Sequence, residues 1–397
     1  MPILVSFSIA LLVLALFYAM LIGLFAVGFL RVRRFPAPSA PETWPFISVI
    51  VAARNEEAHI DACLDALLAN EYPPDRFEII VVDDGSTDKT PSLVQHRQQP
   101  VLARTAMDQD RNTPPLRLVQ MAKHEEDGHK GWAQQQGIAA AQGDILLTTD
   151  ADCIVSPHWI RTMAAYFSPD TGFVAGPVRY RPGASLFGRL QALEFLGLVA
   201  TGAGGMGLGR PNMCNSANVG YRREVLGLFA NDPKRRVMPG DDEVLAQRLA
   251  EHTDWRVRFC ADPVAMVETK PELDVPAFWS QRRRWAGTGP RYPLPGLVAA
   301  ILTVYVFYVL LLVGALATPF VPSLWPMVLG AFLLKMGAET TLLFPACVHF
   351  GQGHLFRLFP LAQVMQIPYV VAIGAAAAFA PPTWKGRRVT WKMANSK

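Results

Sequence analysis

Four short runs stand out for what their side chains could do at wide spacing. They are Val81-Val82-Asp83-Asp84-Gly85, Thr149-Asp150-Ala151-Asp152, Gly240-Asp241-Asp242-Glu243 and Gln281-Arg282-Arg283-Arg284-Trp285. Three carboxylate sites and one basic, aromatic site suit a single task. Together they can hold a metal-bound nucleotide diphosphate, take a proton from a hydroxyl and stabilise a departing phosphate. Apolar runs of membrane length bracket all four, which sets the acceptor or product at a membrane.

Each run also has a plainer reading. Asp150 and Asp152 stand at i and i+2, a spacing that faces one side of an extended segment. Two hard oxygen ligands there suit Mg2+ or Mn2+; the plainer reading is a loop pair capping the next helix. Asp83 and Asp84 open a turn with Gly85 and Ser86, types that turns and caps favour by themselves. The sharper reading has one carboxylate accept hydrogen bonds from a nucleotide base or ribose. Lys130, before Gly131, can meet a phosphate as a point charge or be a solvated loop lysine. Asp241 and Asp242 precede a helical run, where acidic residues are often structural; the sharper reading makes Asp242 a general base. Residues Gln281 to Trp285 could form an interfacial belt with Trp279 and Trp285 at headgroup level, which accounts for Arg282 and Arg283.

The elements that must position these residues follow from periodicity. Strands are predicted at 46–51, 77–82, 116–119 and 145–149, with helices at 55–70, 86–98 and 131–142 between them. Strands alternating with helices imply an α/β fold with a mostly parallel sheet, whose ligands bind beyond the carboxyl ends of the strands. Asp83, Asp84, Asp150 and Asp152 fall at such ends.

Half of the chain is apolar (51%) and its mean hydropathy is +0.20. The formal net charge of +4 makes no case for nucleic-acid binding. Five scattered cysteines without a CxxC pair fit reduced thiols and argue against a zinc site. Residues 3–30 carry no charge and are too long for a signal-peptide core, so they read as a retained anchor. Arg31, Arg33 and Arg34 follow, which directs the chain into the cytoplasm. The predicted organisation is an N-terminal transmembrane helix (1–30), a Pro-rich linker (31–45), a cytoplasmic catalytic domain (46–290), a C-terminal membrane region (291–380) and a basic cytoplasmic tail (381–397). Apolar stretches near 294–318 and 322–345 read as a hairpin of spans. The stretch at 356–380 holds Pro360, Gln363, Gln366 and Pro368; with a basic tail kept inside, it is expected to be re-entrant or partly interfacial. Lys335 and Glu339, at i and i+4, can pair on one helix face.

In this order the motifs resemble those of membrane-integrated family-2 glycosyltransferases, the group containing cellulose, hyaluronan, chitin-oligosaccharide and poly-N-acetylglucosamine synthases. The resemblance covers about residues 46–290 plus the membrane layout. It implies a GT-A fold and inverting transfer from a nucleotide-diphospho-sugar. It also implies that Ala53, Arg54, Asn55 and Glu56 line the base pocket, that Asp83 with Asp84 and Lys130 contact the donor, and that Asp150 and Asp152 form the metal and nucleotide motif. Asp242 would be the base and Arg284 would face the diphosphate, with Gln281 and Trp285 on the acceptor. Asn215 and Asn218, in Cys214-Asn215-Ser216-Ala217-Asn218, look like the acceptor-side segment, preceded by an amphipathic stretch at 186–194 and a glycine-rich one at 202–209. Thr383-Trp384-Lys385-Gly386-Arg387 resembles a gating-loop motif near the tail of related synthases.

The chain departs from the family pattern where the acidic base motif reads Gly240-Asp241-Asp242, which leaves Asp241 as an alternative base. It has no room for an added cyclic-dinucleotide-sensing domain and few spans for a wide polymer channel. The predicted partners are a nucleotide-sugar donor, a UDP-sugar first, a saccharide or lipid acceptor, and membrane lipids of the inner membrane. The presence of Gln281, Arg284 and Trp285 tips the acceptor toward a polysaccharide over a membrane lipid given one or few sugars. A third reading, a catalytically dead assembly subunit, is disfavoured because Asp150, Asp152 and Asp242 are all present.

Overall fold

The computed structural model describes residues 2–34, 43–106, 113–121, 130–181, 183–229, 242–287, 292–379, 383–384 and 387–388. In chain order the strands are β1 (Ile47–Ala53), β2 (Phe77–Asp83), β3 (Leu116–Gln120), β4 (Ile145–Asp150), β5 (Thr171–Ala175), β6 (Val178–Tyr180), β7 (Val219–Arg222), β8 (Arg256–Phe259) and β9 (Val267–Thr269). Helices α1 (Pro2–Arg34), α2 (Ile60–Leu68), α3 (Thr90–Ala106), α4 (Lys130–Ala140), α5 (Trp159–Ala165) and α6 (Leu186–Gly207) are followed by α7 (Arg223–Gly227) and α8 (Asp242–His252). The remaining helices are α9 (Val275–Ala286), α10 (Pro295–Ala317), α11 (Trp325–His349) and α12 (Phe359–Phe379). The chain divides into two units: a sheet unit of Arg31–Arg181 and Gly205–Lys270, and a helical unit of Met1–Leu30, Pro182–Gly204 and Pro271–Lys397.

In the sheet unit, seven strands run in the order β3-β2-β1-β4-β7-β5-β8. β3, β2, β1 and β4 are mutually parallel, while β7 is antiparallel to both β4 and β5. Every residue of β2 is buried, as is all but one residue of β1 and of β4. Strands covered on both faces read as continuous apolar runs, which is why they were legible. β6 and β9 form a separate parallel pair.

In the helical unit, α1 buries one stripe, Leu11, Ala15, Tyr18, Ile22, Ala26 and Phe29, at helical spacing. Its other faces expose Ile9, Val13, Leu16, Met20, Leu24 and Val27. A helix bathed in water would carry polar residues there; apolar ones suit lipid. Among the described residues, four helical stretches are long and apolar enough to cross a membrane: Pro2–Arg34, Pro295–Ala317, Pro322–His349 and Gly353–Ala378. The last differs from the re-entrant expectation. α12 is one unbroken helix with Pro368 inside it. α6 also runs on through the glycine-rich stretch, because Gly204 lets the α1 backbone approach: a Cβ there would sit 2.4 Å from the Phe25 carbonyl oxygen.

All four membrane-length helices meet at one buried polar cluster. Lys335, with no exposed surface, pairs with Glu339 at 2.8 Å and donates to Gln363 Oε1 at 2.6 Å and Gln366 Oε1 at 2.7 Å. Glu339 also accepts from the Tyr18 hydroxyl at 2.5 Å and the Tyr308 hydroxyl at 3.3 Å. The charges are matched and the donors used, as buried charges at membrane depth require.

Candidate active site

β1 lies between β2 and β4, and the chain leaves it toward opposite edges: β2 and β3 follow on one side, β4 on the other. Such a switch point opens a crevice beyond the carboxyl ends of the strands. The register sets Ala53 beside Asp83 and Ala52 beside Asp150. Asp83 and Asp150 therefore flank β1 across two strand spacings, about 10 Å.

Asp150 and Asp152 do not share a face of an extended segment. The Cys153 N–H donates to the Asp150 carbonyl at 3.0 Å and closes a tight turn. That turn draws the carboxylates of Asp150 and Asp152 and the Cys153 thiol to within 4.8 Å of one another. β9 pins the turn from outside. Ile154 and Glu268 exchange backbone hydrogen bonds of 2.8 and 2.9 Å, and Thr269 Oγ1 donates to Asp152 Oδ2 at 3.2 Å. Glu268 is gripped by Arg179 and Arg181, each donating through Nε at 2.8 Å. Burial alone would raise the Glu268 carboxyl, but the bonds and charge of Arg179 and then Arg181 outweigh it and hold it below the usual range.

The donor set fits a hard divalent ion. Two carboxylates converge as oxygen ligands. Burial, then Asp152 and Asp150, push the Cys153 thiol well above its ordinary value, so it stands beside the carboxylates as a protonated neighbour. Oxygen donors favour Mg2+ or Mn2+ over zinc.

The loops after β1 and β2 are laced together. Asn55 adopts a left-handed φ of 52°, alone among the described non-glycine residues. Its N–H donates to Ser86 Oγ at 2.9 Å, and its Oδ1 accepts from the Thr87 N–H at 2.8 Å. The Glu56 N–H donates to Thr90 Oγ1 at 2.8 Å. Arg54 donates to the Asp84 carbonyl at 2.5 Å and pairs with its carboxylate at 3.7 Å. Asn55, Glu56 and Glu57 are thus committed to this clasp, and α2 starts at Ile60 instead of Asn55. Ala53 joins it through its carbonyl, which accepts from the Asp84 N–H at 2.9 Å. Asp83 is buried and accepts from the Ser86 N–H at 3.2 Å, so the turn-capping role holds for it.

Asp242 opens α8 and is buried. Burial, then Glu243 and Asp242, push the Cys214 thiol well above its ordinary value; burial and Asp242 do the same for the Tyr221 hydroxyl. Cys214 belongs to the segment leading into β7 at the carboxyl end of β4, where Thr148 Oγ1 donates to the Ser216 carbonyl at 2.8 Å. Gln247 fixes α8 to that segment by donating to the Asn212 carbonyl at 3.2 Å. Asp242 is thereby brought to the same edge of the sheet as the Asp150 turn. Asp241 lies outside the described residues, as does the side chain of Lys130 at the start of α4.

Asn215 caps the short turn Ser216–Asn218 through the Ala217 N–H at 2.9 Å. Asn218 corrects the sequence reading. It has no exposed surface; its Oδ1 accepts from Trp159 Nε1 at 2.9 Å, and its Nδ2 donates to the carbonyls of Pro177 and Ala265 at 2.8 Å each. With both amide hydrogens used inside the sheet unit and no surface exposed, it is closed to an acceptor.

In the helical unit, Gln281, Arg284 and Trp285 share one face of α9 at i, i+3 and i+4. Gln281 donates to Glu272 at 2.6 Å and accepts from Arg282. Arg282 is no headgroup-belt residue: it is 3% exposed and paired with Glu194 at 2.8 Å. Sequence reasoning missed Glu194, Glu272 and Thr269 altogether, because no motif contains them. The motif Thr383 to Arg387 is described only as a pairing of Thr383–Trp384 with Arg387–Arg388.

Residues 48–227 match glycosyl transferase family 2, and residues 145–380 match glycosyl transferase family group 2. A beta-monoglucosyldiacylglycerol synthase of Synechocystis sp. is 31% identical over 255 residues, covering 62% of this chain and 48% of that protein. A poly-beta-1,6-N-acetyl-D-glucosamine synthase of Staphylococcus aureus is 26% identical over 250 residues, covering 61% of this chain and 54% of that protein. The chain spans about half the length of these curated relatives. Among solved structures, the mannosyltransferase PcManGT from Pyrobaculum calidifontis, in complex with GDP-Man and Mn2+, matches with a TM-score of 0.59 at 21% identity, covering 94% of this chain and 97% of that one. The sheet and its helices therefore have a GT-A-like α/β fold.

Proposed function

The chain belongs to glycosyl transferase family group 2, and from that premise we propose that it is an inverting glycosyltransferase moving a sugar from a nucleotide-diphospho-sugar to a membrane lipid. The observation that carries the reading is the Asp150–Asp152 turn at the switch point, across β1 from the buried Asp83 and on the edge that Asp242 reaches. In this reading the donor is a UDP-sugar. Asp150 and Asp152 would hold Mg2+ or Mn2+, which when bound supplies Lewis acidity to the diphosphate oxygens. Asp83 and the clasp of Ala53, Arg54, Asn55, Glu56 and Asp84 receive the nucleoside.

The acceptor hydroxyl attacks the anomeric carbon from the face opposite the diphosphate, and its proton passes to the Asp242 carboxylate. One carbon–oxygen bond forms as the bond to the diphosphate breaks, and configuration inverts. For Lys130, Arg284, Gln281, Trp285 and Asn215 the assignment rests on family resemblance: Lys130 and Arg284 to the diphosphate, the others to the acceptor. Asp241 stands as the alternative base. The catalytic unit is assigned to the cytoplasmic side of the inner membrane, because Arg31, Arg33 and Arg34 close α1.

The lipid acceptor is preferred to a growing polymer on one ground. Where the four membrane-length helices meet, Phe307, Tyr308 and Lys335 are at most 2% exposed. A secreted polysaccharide needs a water-filled path, and that junction is filled by side chains. Polymer extension remains the second reading because one relative is named as a polysaccharide synthase.

Detergent-solubilised protein, offered UDP- and GDP-sugars with lipid extracts, tests both steps. Release of nucleotide diphosphate should require a divalent ion and fall about 10²–10⁴-fold in Asp242→Asn. Asp152→Asn should fall with it. Equal activity in all three proteins removes the site assignment. A single lipid-linked product by mass spectrometry supports the lipid acceptor, and a product ladder removes it.

A further inference from the structure

Helix α9 is held by residues that lie outside its motif. At its start, Gln191 of α6 and the Glu272 backbone exchange hydrogen bonds of 2.9 and 3.1 Å. In its middle, Arg282 turns inward. Its guanidinium lies 4.6 Å from the Phe278 ring centroid and 4.3 Å from that of Trp285, stacked between the two. Glu194 of α6 accepts both from Nη2 at 2.8 Å and from Nε at 3.2 Å, a fork geometry that fixes the guanidinium plane. Tyr369 of α12 donates its hydroxyl to Glu194 at 2.8 Å and sets its ring against Phe278, 5.5 Å between centroids.

Trp285 belongs to two stripes of α9. One is the stripe Phe278, Arg282, Trp285, whose Arg282 is buried; the other is the motif stripe Gln281, Arg284, Trp285. Whatever fixes the Arg282 plane therefore fixes the indole. Buried ion pairs of this kind are a weak source of net stability, but they can specify one arrangement over others.

We propose that Glu194 is a positioning residue for sugar transfer, acting through Arg282 to set Trp285, with Tyr369 coupling that setting to the membrane-length helix α12. The proposal rests on the reading of Trp285 as an acceptor contact. It adds a residue that touches neither substrate and governs one that does.

The test uses the full chain in detergent, with donor and acceptor varied separately, in wild type, Glu194→Gln, Tyr369→Phe, Trp285→Ala and the double variants with Trp285→Ala. Glu194→Gln should lower kcat with acceptor by about 10- to 100-fold, the scale of a small misplacement, and leave donor KM unchanged. Tyr369→Phe, which removes only a hydroxyl, should give a smaller loss of the same kind and keeps the test usable if Glu194→Gln folds poorly. Each double variant should be no worse than Trp285→Ala alone, because the two residues act on one element. If the losses multiply, the positioning role is wrong while the reading of Trp285 stands. If Trp285→Ala is itself silent, the reading of α9 fails and the proposal fails with it.

Discussion

Asn218→Ala separates a structural asparagine from an acceptor contact. The substitution removes three hydrogen bonds of 2.8–2.9 Å at a position with no exposed surface. Trp159 Nε1, itself fully buried, loses its acceptor, and the Ala265 carbonyl loses this donor. The Pro177 carbonyl keeps the Val267 N–H at 3.0 Å and suffers less. At about 1–3 kcal/mol for each stranded buried group, the loss comes to about 3–5 kcal/mol. Against a total stability of about 5–15 kcal/mol that is a large fraction. For a domain of this size it lowers the melting midpoint by about 6–20 °C. Thermal unfolding in detergent reads the midpoint, and assays well below it read the KM of each substrate on folded protein. Asn218→Asp should be no better, since it keeps the shape but turns a carboxylate on two carbonyl oxygens. A normal midpoint with a raised acceptor KM would refute the structural role and return Asn218 to the acceptor site.

Glu268 sets an acid limit on the turn that holds Asp152. Its folded carboxyl lies below the ordinary range, so its contribution is present above the unfolded value of about 4.3 and is lost as pH falls through the lower folded value. Arg181→Met should move that loss to higher pH, read as the melting midpoint against pH; superimposable profiles would exclude the role. In the helical unit, Lys335→Met leaves the partly buried Glu339 without its cation and should destabilise by about 3–5 kcal/mol, whereas Lys335→Met with Glu339→Gln should recover most of that. Detergent melts compare the two, and equal losses would contradict a matched pair.

Much of the sheet was legible because β1, β2 and β4 are short apolar runs bounded by turn residues, and the acidic residues at their ends follow from the parallel topology. The convergence of Asp150 and Asp152 was expected for the wrong local reason: a turn closed by Cys153 replaces an extended segment. The early start assigned to α2 failed because Asn55 and Glu56 bond to the loop after β2, a partner more than 30 residues away that no local pattern reveals. Thr269 meets Asp152 across 117 positions, and Glu194 meets Arg282 across 88, so neither leaves a periodic trace. Arg282 misled because residue type is a poor guide to burial when a carboxylate and two rings wait at the right distance. Glycines 202–209 suggested an interruption, yet α6 continues, since at Gly204 the missing side chain admits another backbone.

The polypeptide passes between its two units four times, with segments meeting at 30/31, 181/182, 204/205 and 270/271. Neither unit can be excised by one cut or exchanged as a cassette between relatives. A fragment ending near residue 290, the natural choice for a water-soluble enzyme, would carry Glu194 and Arg282 away from Tyr369. Swapping only the C-terminal helices would disturb the same grip, because Tyr369 and Glu194 would then come from different parent sequences.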